Sequence, residues 1–213
     1  MKWLDHRVES NAERTKSPER LVFFSDAVVA IALTLLVLPL TDLVPEMAAE
    51  HKDAVDAVLE HWNQIFSFVL SFVVIARMWW GHHRIFEEVR AYSGALALTN
   101  FCWLFTIAVL PFPTELTGQF GTDRFTTLFY IGTILVSSAC QTVLVLIVRR
   151  DPNVATREGA VSDRWLANNV LSVAALAIAF VIGAIRPALG YYALLLLTIP
   201  PIIARRYSGR DDD

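Results

Sequence analysis

The chain has 213 residues, 55% of them hydrophobic and 18% charged, with a mean hydropathy of +0.48. A soluble domain of this size carries more charge and fewer apolar residues, and here the excess falls in blocks, the pattern of membrane spans rather than of one large core. A net charge of −3 suggests no nucleic-acid surface, and Cys102 and Cys140 both lie in apolar runs, where they read as small buried hydrophobes rather than a disulfide.

Residues 1–20 are polar and lack the apolar core of a secretory signal, so they read as a cytoplasmic arm. Six stretches then approach the ~20 mainly apolar residues that cross a bilayer. They are 21–40, 64–80, 95–112, 125–148, 165–185 and 187–204, with a tail over 205–213. The last two are joined by a very tight turn at Arg186-Pro187, and five spans with a re-entrant end is the competing reading. The expected fold class is an all-α integral membrane protein, with six transmembrane helices in one domain over 21–204.

Lys and Arg are retained in cytoplasmic loops, so their placement orients the chain. One side collects Lys2, Arg7, Arg14, Lys16, Arg20, Arg84, Arg90, Arg149, Arg150, Arg157, Arg164, Arg205, Arg206 and Arg210. The other holds only Lys52, Arg124 and Arg186, and Arg77 lies within the second span. Both termini are expected in the cytoplasm of a multi-pass protein of the cell membrane. The loop after span one agrees, since it carries Asp42, Glu46, Glu50, Asp53, Asp56 and Glu60 against one lysine. Residues 46–62 lack strong breakers and predict a short surface helix. Its acidity either concentrates cations at an outer vestibule or is plain solvated surface.

Span one, RLVFFSDAVVAIALTLLVLPL, carries the unusual chemistry. An aspartate inside a span is costly and marks a functional candidate. At 100° per residue, Phe24, Ile31 and Leu38 share one seam with Leu35 beside it and Thr34 on the other flank. Asp26 lies well round from that seam, so it must face protein. Span two leaves the membrane on the cytoplasmic side through Arg77, Trp79 and His82, and span three enters there and soon reaches Asn100. Arg20, Ser25, Asp26, Arg77, Trp79, His82 and Asn100 therefore share one layer, as a clamp that pairs charges and amides. The same residues would serve a proton relay.

Elsewhere there is less chemistry. Ser137, Ser138, Gln141 and Thr142 in span four read as interhelical contacts, and Pro111-Phe112-Pro113 is expected to end span three. The sequence carries no metal-ligand cluster, nucleophile elbow, phosphate loop or cofactor fingerprint, which leaves an enzyme no residues to work with. No inverted repeat signals a transporter.

RLVFFSDAVVAIALTLLVL, with Arg20 four residues before Phe24-Ser25-Asp26, resembles the signature first helix of the transmembrane protein 175 family. The likeness continues in Trp79-Trp80-Gly81-His82-His83-Arg84, in Asn100 and in Pro111-Phe112-Pro113-Thr114, and so covers 20 to 114. The family includes the endolysosomal potassium channel of animals and its prokaryotic relatives, which lack the TVGYG filter, as this sequence does. The resemblance implies a potassium-selective channel subunit with a pore lined by the first helix of each repeat. It implies a constriction at Ile31, further rings at Leu35 and Leu38, and a selectivity layer at Thr34. It implies that Arg20 and Phe24-Ser25-Asp26 hold the pore helix in place. With one six-span repeat where the animal proteins have two, a homotetramer is implied. Its partners would be other copies of the chain, membrane lipid and permeant K⁺, with no cofactor. The alternative function is a proton-coupled secondary transporter using Asp26 and His82; a third is an assembly protein without transport.

Overall fold

The computed structural model describes residues 17–49, 53–121, 123–157 and 161–187. Among these every regular element is a helix: α1 (Glu19–Leu35), α2 (Leu38–Ala49), α3 (Ala54–Glu60), α4 (Trp62–Glu87), α5 (Gly94–Val109), α6 (Pro111–Phe120), α7 (Arg124–Arg150) and α8 (Asp163–Ile185). Five stretches are long and apolar enough to cross a membrane: Glu19–Pro45, Trp62–Glu87, Gly94–Phe120, Arg124–Arg150 and Asp163–Ile185. The sixth expected span, 187–204, falls almost wholly outside the described residues, as do most of 1–20 and all of 205–213.

Side chains set several helix starts. Ser93 Oγ accepts from Leu96 N at 3.3 Å, Asp123 Oδ2 from Thr126 N at 3.1 Å, and Ser162 Oγ from Trp165 N at 3.2 Å. Each satisfies an amide that has no partner within its own helix. Arg149 and Arg150 close α7, where cations complement the helix dipole.

The prolines act differently from the expected stop. Leu110 keeps helical dihedrals (φ −52°, ψ −36°), and the third span resumes as α6 with Pro111 at its start. A proline there has no amide to leave unsatisfied, and its φ suits a helix. The ladder tightens rather than the path breaking: Leu110 N is shared between Thr106 O and Ile107 O, each at 3.2 Å. The first span behaves similarly, pausing at Leu36-Val37 and continuing as α2 through Pro45. The surface helix expected over 46–62 is shorter, Ala54–Glu60, with Val55, Val58 and Leu59 exposed. Cys102 is exposed and Cys140 half-buried, both as free thiols, which corrects the expectation that both are buried. An outward cysteine needs no burial by protein where the surroundings are hydrocarbon.

α7 packs on α8, α5, α6 and α4, and α1 lies against α5 and α4. Two apolar clusters result. One contains Val29, Ala32, Val74, Met78, Trp103, Ile107, Tyr130 and Ile134. The other contains Leu21, Ile85, Phe86, Leu96, Leu144 and Val148, at the end where the α4–α5 and α7–α8 connections meet. There Arg90 N donates to Val154 O at 2.8 Å and Thr156 N to Glu88 O at 2.9 Å. Toward the opposite end α6 runs so close to α4 that a side chain on Gly118 would come within 3.1 Å of Gln64 Cα.

Candidate functional site

Between the two apolar clusters lies a layer of buried polar side chains. Ser25 comes from α1, His82 from α4, Asn100 from α5 and Gln141 from α7, all buried. In hydrocarbon each of these groups needs a protein partner, because no water competes to supply one. They find them across helices. His82 Nε2 lies 2.6 Å from Asn100 Oδ1, and Asn100 Nδ2 donates to Ser25 Oγ at 2.9 Å. Ser25 Oγ in turn donates to Leu21 O at 2.8 Å. The asparagine oxygen is an acceptor, so the proton of the first bond sits on His82 Nε2. All three bonds then point one way and end on a backbone carbonyl. Gln141 Nε2 donates to Met78 O at 2.5 Å and ties α7 to α4 at the same level. Trp103, fully buried, stacks on the His82 ring with centroids 4.0 Å apart and planes 9° apart.

Asp26 stands beside this chain of bonds and outside it. Its Oδ1 accepts from Trp79 Nε1 at 2.8 Å. Sequence reasoning gave Asp26 an arginine partner, Arg20 or Arg77, and the structure gives it an indole. Arg20 is exposed at the start of α1, away from the layer, and Arg77 lines a cleft between α4, α7 and α8. The reason is angular. On α4, Arg77 lies about 100° per residue times five from His82, hence on nearly the opposite face. Phe24 is half exposed, with its ring 5.8 Å from that of Phe101. The structure thus joins Ser25 to Asn100 and His82, joins Asp26 to Trp79, and leaves Arg20 apart.

These bonds fix the rotation of α1 about its axis, which decides where the remaining side chains go. Leu21, Ser25, Val29 and Ala32 turn inward. Ile31, Leu35 and Leu38 turn outward and are 59%, 42% and 50% exposed. Thr34 is also exposed, and its Oγ1 donates to Ile31 O at 2.8 Å. A hydroxyl that donates to its own helix keeps its lone pairs directed away from it.

A second buried cluster, unforeseen from sequence, braces the other half of the bundle. Ser71 Oγ lies 2.9 Å from Tyr130 Oη and 2.8 Å from Thr114 Oγ1. It joins α4, α6 and α7 just beyond the proline-interrupted turn. Spacing along the chain gave no signal for it, since 43 residues separate Ser71 from Thr114. Trp103 and its stacking on His82 were missed as well, because a tryptophan in an apolar run looks the same whether it packs on protein or on lipid.

The sequence matches the family described as the endosomal/lysosomal potassium channel TMEM175 over residues 20–111. A potassium channel of Chamaesiphon minutus is 38% identical over 102 residues, 47% of this chain and 49% of that one. The endosomal/lysosomal proton channel TMEM175 of Danio rerio is 26% identical over 139 residues, 65% of this chain and 26% of that protein. These alignments therefore span half or less of the relatives' own length. In three dimensions the crystal structure of a lysosomal potassium-selective channel TMEM175 homolog from Chamaesiphon minutus superposes with a TM-score of 0.72. That likeness comes at 25% identity and covers 87% of this chain and 97% of that one.

Proposed function

We propose that the chain is a member of the TMEM175 family, which its sequence matches over residues 20–111, and that it is a potassium-permeable channel subunit whose pore is lined by α1. The observation that carries this is the orientation of the helix. Ser25 and Asp26 are both engaged by neighbouring helices, and the opposite seam of Ile31, Leu35 and Leu38 is left about half exposed. Four copies of α1 around an axis bring that seam to the centre. Ile31 then forms the narrowest ring, too tight for a hydrated ion, and a hydrocarbon-lined constriction dewets and blocks ions without any charge. Thr34, displaced by about one turn, offers hydroxyl lone pairs that replace part of a cation's hydration shell. The retained bonds of Ser25, Asp26, Trp79, His82 and Asn100 act as the clamp that sets the pore helix, with Phe24 packing beside it. The bias of Lys and Arg toward one set of loops supports a multi-pass protein with both termini in the cytoplasm.

Potassium is favoured over protons as the permeant ion by the family's description and by the bacterial relative at 38% identity, a potassium channel, while the animal relatives named proton channels match at 26% to 34%. A carrier relaying protons between Asp26 and His82 is less well supported. The two residues sit in separate hydrogen bonds, and the chain from His82 runs through an amide, which does not pass a proton on. Purified protein in planar bilayers under opposed K⁺ and H⁺ gradients tests the reading. Unitary currents reversing near the K⁺ equilibrium potential are expected. Reversal near the H⁺ potential would transfer it to a proton channel, and saturable coupled flux without unitary steps to a carrier. The mass of the detergent-solubilised assembly should be four chains, and a stable dimer or monomer as the sole species would remove the central pore.

A further inference from the structure

We propose that Thr41 is a second determinant of ion preference, an oxygen layer two turns outward of Thr34 at the outer end of the pore seam. This rests on the reading of α1 as the pore helix and adds to it the start of α2. The two threonines are held alike. Thr34 Oγ1 donates to Ile31 O and Thr41 Oγ1 to Leu38 O, each three residues back and each at 2.8 Å. In both, the hydroxyl proton is committed to the residue's own helix. The side chain then presents lone pairs outward, the half of a hydroxyl that a cation uses.

Helical register puts the two on one line. Seven residues at about 100° each fall about 20° short of two turns and rise about 10 Å. The pause between α1 and α2 preserves this. Leu36 keeps helical dihedrals (φ −59°, ψ −29°). Val37 N donates to Thr34 O at 3.4 Å, and Thr41 N to Val37 O at 3.2 Å. A residue wound in the tighter three-residue turn rotates the chain about 20° further, which moves Thr41 toward the line of Thr34. The seam is hydrocarbon as far as Leu38, and Thr41 and Asp42, both exposed, are the first polar side chains beyond it. Asp42, eleven residues after Ile31, lies about 20° from it around the axis.

Thr41 also offers a second oxygen. Pro45 lies inside α2, and proline has no amide, so the Thr41 carbonyl lacks the donor four residues on that an unbroken helix supplies. Hydroxyl and carbonyl are neutral oxygens of the kind that replace water around an alkali cation, and weak neutral ligands favour the ion that gives up its water more readily, K⁺ over Na⁺. Four copies of the chain bring both oxygens of each Thr41 to the outer mouth, where the Asp42 carboxylates raise the local cation concentration. Thr41 and Thr34 then stand on either side of the Leu38 ring, so a cation meets oxygens before and after that stretch of hydrocarbon.

The test is recording from the full chain in planar bilayers under bi-ionic K⁺/Na⁺ conditions. Thr41→Val keeps the shape of the side chain and removes the hydroxyl; Thr41→Ser keeps the hydroxyl. Thr41→Val should lower PK/PNa about threefold, the scale of one neutral polar contact, with Tm unchanged, and Thr41→Ser should retain the wild-type ratio. The same loss in Thr41→Ser would overturn the assignment to the hydroxyl. Where Thr41→Val does not assemble, Thr41→Ala is read in its place, with the same expected loss. Ile31→Asn is recorded alongside to separate this proposal from the pore reading. A changed conductance in Ile31→Asn with an unmoved reversal potential in Thr41→Val and Thr41→Ala would overturn the role of Thr41 alone. Silence in all three variants, each assembled as the wild type, would overturn the pore reading and this proposal with it.

Discussion

The two faces of α1 are served very differently by the rest of the chain. Leu21, Ser25, Val29 and Ala32 are buried, and Ser25 is held by Asn100 from another helix. Ile31 and Leu35 on the other side of the same helix, and Leu38 at the start of α2, are about half exposed. The composition of the two faces does not separate them, since both are mainly aliphatic. What separates them is one serine and one aspartate whose partners choose which way the helix turns. A substitution on the inner face should therefore register in folding. One on the seam should leave folding alone and register in conduction.

Trp103→Ala should have the largest effect. It empties a fully buried site stacked on His82 and should cost about 3–5 kcal/mol. Thermal unfolding of the solubilised protein checks this, and wild-type stability would show that the polar layer is not what holds α1. Asn100→Leu comes next. It removes two interhelical bonds that in membranes are worth about 0.6 kcal/mol each and at most about 1.7, and it leaves His82 Nε2 and Ser25 Oγ with one partner fewer. A loss of about 1–3 kcal/mol follows.

Asp26→Asn should be milder still. The amide oxygen can accept from Trp79 as the carboxylate does, so only the charge-assisted share of the bond, about 1 kcal/mol, is at stake. The loss of about 3–5 kcal/mol that a broken buried ion pair brings would instead reveal a cationic partner for Asp26 in the assembly. Thr34→Ala, whose hydroxyl donates to its own helix at Ile31 O, should leave Tm unchanged and reduce the preference for K⁺ over Na⁺ in bi-ionic reversal potentials.

Five of the six expected spans, the seam and most of the polar layer were legible because each follows from a strong rule. Hydrocarbon demands long apolar runs, and a polar residue inside one demands a partner at its own depth. Ser25, His82 and Asn100 obeyed that rule and met. The partner of Asp26 was misjudged because charge pairing was taken as the natural answer, whereas an indole N–H satisfies a carboxylate with no second ion to desolvate. The proline motif was misread for a similar reason. A missing amide ends a hydrogen-bond ladder, and it is the helical dihedrals of Leu110, with α6 packed on α4 and α7, that show the span continuing. The Ser71–Tyr130–Thr114 cluster was illegible because it is assembled from three helices distant in sequence.

The central claim is that the seam of α1 lines the permeation path, and single-channel recording of Ile31→Asn in planar bilayers under a K⁺ gradient tests it most directly. Asparagine carries donors and acceptors that hold water in the narrow zone, so the account predicts a larger unitary conductance. It also predicts a reversal potential moved from the K⁺ equilibrium value toward zero, in a protein whose Tm and mass match the wild type. Unchanged conductance and reversal potential in a variant that still assembles would contradict it and place the pore elsewhere.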